Sequence, residues 1–588
     1  MTTDQWIVLA IAIAAAVAFV SERIRSEVVA LCVLCALAIT GVVTPRAALS
    51  GFASEAVAAV AAMFVLSAAL GHSGALQRVT ALLVWLSRAR VLLLAALMPL
   101  AGALSAFVNN TAIVAVLLPS LMRVVQQKGW SPSKFLIPLS YASQFGGVCT
   151  LIGTSTNLLV HSLAVDAGLP GFTMFEFTTL GLSMLAIGTV YMLVVGQWLL
   201  PDRGKATAEE LFALDDFVTE LEVEGEALVG KRVEELDLQN RHGLVPLDLV
   251  RGEKRFWRPK TVRLELGDVI RVSGAARDFT GLGASSGLAL HAERFFGTQI
   301  AKDEERRLVE AMVPPQSSLV GHSAAELGLP ARWNAVLLAI RRHGEPQSSK
   351  LARVRLESGD ILLLMTTREG VAEAFNPQDL VVLSEKDHAP PRTGNPLLVV
   401  AVVAAAIALA AIGWLPIHVS ALAACAVLLV ARTLSSEEAI AAVDWRVLVL
   451  IAGMLPLGLA MQDSGLAKSM VDGLFALLDV DSPAFALALI YLITAVLTEM
   501  MSNNAAAVLL VPVALSVAEH LGVDAKPFLV AVAFAASTSF ATPVGYQTNT
   551  MVYNAGNYRF ADFARIGVPL NLLFWGVASV LIPILFPF

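Results

Sequence analysis

Phe107-Val-Asn-Asn-Thr-Ala112, with Pro119 behind it, interrupts a long apolar run, and Ser502-Asn-Asn-Ala505, with Pro512 behind it, interrupts another. Asn109, Asn110, Thr111 and Pro119 meet Ser502, Asn503, Asn504 and Pro512 at one offset of 393 residues, and Phe135 meets Phe528 at the same offset. One residue less brings Thr150-Leu-Ile-Gly-Thr-Ser-Thr-Asn157 onto Thr542-Pro-Val-Gly-Tyr-Gln-Thr-Asn549, and Ser73-Gly74 also meets Ser464-Gly465. Matches in register over so much chain mark a two-fold internal repeat.

Around these stretches the composition is of two kinds. The 588 residues are 56% hydrophobic and 15% charged, with mean hydropathy +0.71. Soluble domains carry roughly 25% charged residues. Residues 206–391 hold 53 of the 89 charged side chains, so a lipid-solvated body carries a water-solvated insert. A net charge of −7 leaves no electrostatic footprint for nucleic acid. Four cysteines are no disulfide framework. Cys32 and Cys35 have redox or metal spacing but read better as small helix residues in lipid. Met1–Gln5 has an acid and no Lys or Arg, so the first apolar run is expected to stay in the membrane.

Crossing ~30 Å of hydrocarbon takes about 20 apolar residues. Before the insert, such runs are Trp6–Val20, Val28–Val43, Val57–Leu70, Phe135–Leu163 and Phe172–Leu200, with an interrupted stretch over 91–125 and an amphipathic piece over Ala75–Arg90. After it they are Leu397–Trp414, Val419–Ala431, Val447–Met461, Phe528–Tyr553 and Phe563–Leu585, with an interrupted stretch over 484–517. If the interrupted stretches are re-entrant hairpins, each half has five crossings, and an odd number inverts one half against the other. With both termini outside, fifteen Lys and Arg face the cytoplasm and only Arg46, Lys468 and Lys526 face out. Residues 206–391 are then cytoplasmic, and the expected location is the bacterial inner membrane. The domain plan is 1–205 and 392–588 as membrane halves, with 206–300 and 301–391 as two small α/β cytoplasmic domains.

Polar, non-helical backbone at membrane depth is tolerated where protein or a water-filled cavity satisfies it. Asn, Ser, Thr and Gly cluster at residues 109–111, 153–157, 502–504 and 545–549. Half-helices meeting head to head aim N–H groups and positive dipole ends at one point, which suits an anion; exposed carbonyls suit a hard cation. Paired broken helices in an inverted repeat point to the midplane site of a secondary transporter. Taken singly, each such Asn or Ser has a plainer reading as a neighbour's hydrogen-bond partner.

Phe-Val-Asn-Asn-Thr-Ala, Gly146–Asn157, Ser-Asn-Asn-Ala and Ala541–Asn549 as a set resemble the divalent anion:sodium symporters, over about 400 residues. The resemblance implies an elevator-type carrier, usually a homodimer in the lipid bilayer, that cotransports sodium with sulfate or with di- and tricarboxylates and uses no organic cofactor. It places one sodium at Asn109, Asn110, Thr111, Gly153 and Asn157, and a second at Ser502, Asn503, Asn504, Gly545 and Asn549. It places the anion between the two tips, touching both and also Ser155, Thr156, Gln547 and Thr548. The family's triplet is Ser-Asn-Thr, against Asn109 in first place here and Asn504 in last. Polar residues also replace the family's prolines, giving Gly-Thr-Ser-Thr-Asn and Gly-Tyr-Gln-Thr-Asn. A smaller, rounder and more donor-hungry anion fits these changes, so the chain looks most like the sulfate branch, with a dicarboxylate or sulfonate as the alternative. Glu499, three residues before the second triplet, reads as a cation ligand, a proton site or a helix-end residue reaching water. His161 and His72 read as interfacial or packing residues.

Within the insert, Gly230–Leu238 followed by Leu264-Glu-Leu-Gly-Asp-Val-Ile-Arg-Val272 recurs as Gly321–Leu329 followed by Leu356-Glu-Ser-Gly-Asp-Ile-Leu-Leu-Leu364. Each copy resembles a TrkA-C (RCK C-terminal) domain, which implies regulation by a small ligand or reinforcement of a dimer. Arg251–Lys260 reads as a solvated hairpin tip. A proton-coupled antiporter and a ligand-gated channel stand as rivals, though no Thr-Val-Gly-Tyr-Gly filter occurs. No nucleophile–base pair supports an enzyme.

Overall fold

In the computed structural model, residues 1–202 and 396–588 are described except 22–23, 74–86, 479–481 and 544; within the insert, 216–223, 225–238, 244–251, 254–256, 259–275, 288–290, 306–314, 317–329, 335–342, 345–346, 354–367 and 379–384 are described. The amphipathic piece expected over Ala75–Arg90 lies largely outside the described residues.

The first half runs α1 (Thr3–Ser21), α2 (Ser26–Ile39), α3 (Pro45–Ser50), α4 (Glu55–His72), α5 (Arg90–Ser105), α6 (Asn110–Gln127), α7 (Leu136–Gly147), α8 (Ser155–Asp166) and α9 (Thr178–Tyr191). The second runs α10 (Pro396–Ala411), α11 (Ile417–Val430), α12 (Ser436–Ala442), α13 (Trp445–Asp463), α14 (Leu466–Leu478), α15 (Pro483–Thr498), α16 (Asn503–Leu521), α17 (Lys526–Ser537), α18 (Gln547–Ala555) and α19 (Phe560–Leu585). Among the described residues, six spans are long and apolar enough to cross a membrane: Thr3–Ser21, Pro45–Gly71, Thr178–Leu199, Trp445–Asp463, Asn503–Leu521 and Phe560–Leu585. Apart from α14, which has no counterpart among the described residues, the two halves have the same order of helices, and each polar interruption is a break in helix.

The breaks have local causes. Asn109 Oδ1 accepts from the Thr111 N–H (2.9 Å) and Ser502 Oγ from the Ala505 N–H (3.4 Å), so these two residues cap α6 and α16. Pro119 and Pro512 sit inside the helices that follow. The runs 135–163 and 528–553 each split into two helices, around residues 148–154 and 538–546. Both halves build the core. From α6 to α8 the first half packs against α16 to α18 of the second, while α2 lies along α13 and α4 along α11. The α7 helix, and α17 from Pro527 onward, are wholly buried in this mass.

The insert contains two antiparallel sheets of like connectivity. The first has β1 (Asp216–Val223), β2 (Val245–Arg251), β3 (Lys254–Phe256), β4 (Val269–Ala275) and β5 (Leu288–Leu290) in the order β3-β2-β4-β1-β5. The second has β6 (Arg306–Met312), β7 (Val336–Arg342), β8 (Glu345–Pro346), β9 (Ile361–Thr367) and β10 (Val381–Ser384) in the order β10-β6-β9-β7-β8. Arg251 opens a hairpin with Lys254, which places the basic stretch at a strand turn.

Each sheet is pinned by the same ion pair. Arg251 donates to Asp268 from Nε (2.7 Å) and Nη2 (2.7 Å), and Arg342 donates to Asp360 from Nε (2.8 Å) and Nη2 (2.8 Å). Both aspartates are fully buried. Their hydrogen bonds raise the pKa of each guanidinium above its ordinary value. Removing one partner of a buried pair costs about 3–5 kcal/mol. Arg342→Met is therefore expected to speed amide exchange across β7 and β9 by at least about a hundredfold, measured by hydrogen–deuterium exchange of the whole protein. The second sheet also meets the membrane body. Met312 and Val381 are buried in the body's own apolar core, and β10 packs on α6.

Candidate anion and sodium site

Four helices begin at the polar clusters: α6 at Asn110, α8 at Ser155, α16 at Asn503 and α18 at Gln547. They meet in crossed pairs between the halves. Thr111 Oγ1 of α6 donates to Gln547 Oε1 of α18 (3.0 Å). Its repeat counterpart Asn504, on α16, takes hydrogen bonds from Ser155 Oγ (3.3 Å) and Thr156 Oγ1 (3.2 Å) of α8. Each N-terminus carries roughly half a positive charge. Each crossed pair therefore offsets about one negative charge, with no Lys or Arg in residues 105–111, 150–157, 498–504 or 540–549.

Behind each tip the same bonds recur. The Gly153 N–H donates to Thr150 Oγ1 (3.1 Å) and the Gly545 N–H to Thr542 Oγ1 (3.0 Å). Thr150 Oγ1 donates to Ala106 O and Thr542 Oγ1 to Glu499 O (3.3 Å). Asn157 Nδ2 donates to Thr150 O (2.9 Å) and Asn549 Nδ2 to Thr542 O (3.1 Å). These pairs keep the sequence offsets of 392 and 393. Thr150, Thr542, Ser105 and Thr498 were absent from the sequence-based site. Only the register of the repeat pointed to them, and they hold the break in shape in both halves.

The residues present fit hard cations. Asn157 Oδ1 is buried with no hydrogen-bond donor. Beside it, Gly153 faces the Gly147 and Ala106 carbonyls, the latter 3.0 Å from where a Cβ would stand. In the second half Ser539 Oγ, next to Gly545, is a buried oxygen without a hydrogen-bond partner, as are Glu499 Oε2, Ser537 Oγ and Asn571 Oδ1; Thr542 Oγ1 and Thr498 O stand 2.9 and 3.1 Å from a Cβ at Gly545. Asn549 Oδ1 is engaged instead, accepting from Ser140 Oγ (2.7 Å) and Gln144 Nε2 (3.0 Å) of α7.

The other expected residues divide. Asn110 is a buried hub: Nδ2 donates to Ser105 Oγ (2.6 Å), Gly153 O (3.2 Å) and Ser143 O (3.2 Å), and Oδ1 accepts from the Tyr546 hydroxyl (2.5 Å). Asn503 Oδ1 accepts from Thr498 Oγ1 (3.1 Å). Asn109 and Ser502 serve as caps, as described above. Thr548 is fully buried, and its hydroxyl hydrogen-bonds that of Ser140 (2.8 Å), so it turns away from the tips. Glu499 Oε1 accepts from the Phe540 N–H (2.8 Å), the Ala541 N–H (2.9 Å) and Asn571 Nδ2 (2.8 Å), stapling the break between α17 and α18. His161 Nδ1 accepts from the Phe172 N–H (2.8 Å), a packing role.

The chain matches the family model described as citrate transporter over residues 16–526 and 503–588. It is 36% identical to an uncharacterized transporter of Synechocystis, covering 98% of this chain and 96% of that one. It is 30% identical to the Escherichia coli uncharacterized transporter YfbS, covering 99% of each. It is 24% identical to the protein named sodium/sulfate cotransporter 2 of Chlamydomonas reinhardtii, covering 92% of this chain and 85% of that one.

Proposed function

Since this chain belongs to the citrate transporter (CitMHS) family of membrane transporters, we propose that it carries a divalent anion together with sodium, and that the anion is sulfate. The observation that carries this reading is two crossed pairs of helix N-termini, α6 with α18 and α8 with α16, each bonded across the halves and without a Lys or Arg at the tips. Neutral donors and dipole ends suit a small oxyanion, and sodium supplies the remaining counter-charge. Two relatives named sodium/sulfate cotransporters, at 24% and 23% identity over 92% of the chain, support sulfate over the citrate in the family description.

In this reading the halves are an inverted repeat in the bacterial inner membrane, with both termini outside and residues 206–391 cytoplasmic. The first sodium is held at the Gly153 and Asn157 oxygens, with Asn110 at its rim, and the second around Gly545, Ser539 and Thr542. The interleaved helices α5–α8 and α15–α18 move as one elevator unit, while α1–α4 and α10–α13 form the static scaffold of a homodimer. The insert, as two TrkA-C domains, regulates transport in response to a small ligand. Support for regulation comes from α6, which bears Asn110 at its first residue and β10 of the second sheet on its side.

The test is uptake of labelled sulfate into proteoliposomes under an inward sodium gradient. Saturable uptake that choline does not sustain is expected. Uptake of succinate in place of sulfate moves the substrate to the dicarboxylates. Uptake driven equally well with choline removes sodium coupling. Val381→Asp, which places a charge where β10 is buried against the membrane body, is expected to change the maximal uptake rate at least about twofold while leaving half-saturating sodium unchanged; an unchanged rate removes the regulatory reading.

A further inference from the structure

The repeat is broken at one conspicuous place. Thr154 of the first half corresponds to Tyr546 of the second. Tyr546 is buried and spans the boundary between the halves, and its hydroxyl lies 2.5 Å from the Asn110 amide. With the amide turned so that Nδ2 meets the carbonyls of Gly153 and Ser143, which can only accept, Oδ1 accepts from Tyr546. Thr154 stands at the N-cap position of α8, yet its side chain makes no capping bond and lies beside the Tyr546 side chain instead. The residue that replaces threonine at position 546 therefore reaches out of its own half and occupies the one oxygen that Asn110 has to offer a cation.

Resting on the sodium-coupled reading above, we propose that the Tyr546 hydroxyl is an exchangeable donor between the first sodium position and the anion: it holds Asn110 Oδ1 while sodium is absent and is released to the anion when sodium takes that oxygen. Gln547, the next residue, already bonds Thr111 where the N-termini of α6 and α18 meet. A small movement of this loop carries the phenol from one site to the other. A released hydroxyl adds a neutral donor where the anion is met, and the two ligands become coupled through one side chain. Among the described residues half two has no matching arrangement: Thr154 is a shorter side chain than Tyr546, and the Asn503 oxygen is held by Thr498. The two sodium positions are accordingly unequal, and the anion senses the first.

The test is Tyr546→Phe in the full-length protein, which keeps the ring and removes only the hydroxyl. Binding of radiolabelled sodium to purified protein and sulfate uptake into proteoliposomes are both measured, with elution profile and melting temperature as checks on folding. One hydrogen bond is worth about five- to tenfold in affinity. Half-saturating sodium is expected to fall by about that factor, half-saturating sulfate to rise by a similar one, and the dependence of sulfate affinity on sodium to flatten. Unchanged half-saturation for both ligands overturns the proposal, and so does a parallel weakening of both with their coupling intact, which marks a purely structural role. If wild-type protein neither binds sodium nor shows sodium-driven uptake, the functional reading itself falls and this proposal with it. A working wild type with an indistinguishable Tyr546→Phe variant removes this proposal alone.

Discussion

Asn110→Ala and Asn503→Ala each reduce sodium-driven anion uptake by about a hundredfold or more, but they do so at different cost to the fold. Asn110 serves Ser105, Gly153, Ser143 and Tyr546 at once, in a fully enclosed setting. Its loss strips the Gly153 and Ser143 carbonyls of a donor, and each orphaned buried group costs about 1–3 kcal/mol. The Asn110 variant is therefore expected to melt several degrees below wild type. Asn503 is half-buried and its oxygen is held by Thr498 alone, so its variant keeps the wild-type melting temperature within about a degree or two. Uptake in proteoliposomes and thermal unfolding in detergent separate the cases. Near-normal uptake by both variants sinks the assignment of the tips.

Gly153→Ala and Gly545→Ala have effects of similar size for a steric reason. A Cβ at Gly153 runs into the Gly147 carbonyl and stands 3.0 Å from that of Ala106; a Cβ at Gly545 runs into Ser539 Oγ and stands 3.1 Å from Thr498 O. The oxygens that must move are those offered to sodium. Overpacking of this kind costs about 1–3 kcal/mol, which raises half-saturating sodium by about five- to a hundredfold. The result is read from the sodium dependence of uptake at fixed anion. A change confined to the anion's half-saturation removes these glycines from the cation positions.

The positions of the helix breaks were legible because polar residues inside apolar runs have little other use, and their spacing repeated. The strands around Gly267-Asp268 and Gly359-Asp360 were legible from alternation, but not the arginines that clamp those aspartates, because Arg251 and Arg342 lie 17 and 18 residues away along the chain. Within the site, the first residue of each triplet was taken as a ligand, although Asn109 and Ser502 are residue types that cap helices. Thr548 was grouped with Gln547, yet neighbours on a helix point about 100° apart, and Thr548 faces α7. The contacts of Tyr546 with Asn110 and of Asn504 with Ser155 cross between the halves. Aligning a repeat on itself reveals equivalent positions and is blind to what meets across them.

The reciprocal embrace of the halves, α2 on α13 and α4 on α11, also sets a timetable for biosynthesis. The last residue of α2 is Ile39 and that of α13 is Asp463, so 424 residues separate a helix from the surface that covers it. At about 5–20 residues per second, the ribosome takes some tens of seconds to supply that surface. Throughout that interval the buried faces of α2 and α4 have lipid or the insertion machinery for company. Both sheets of the insert precede the second half along the chain, so the insert is made while the first half still waits for its partner.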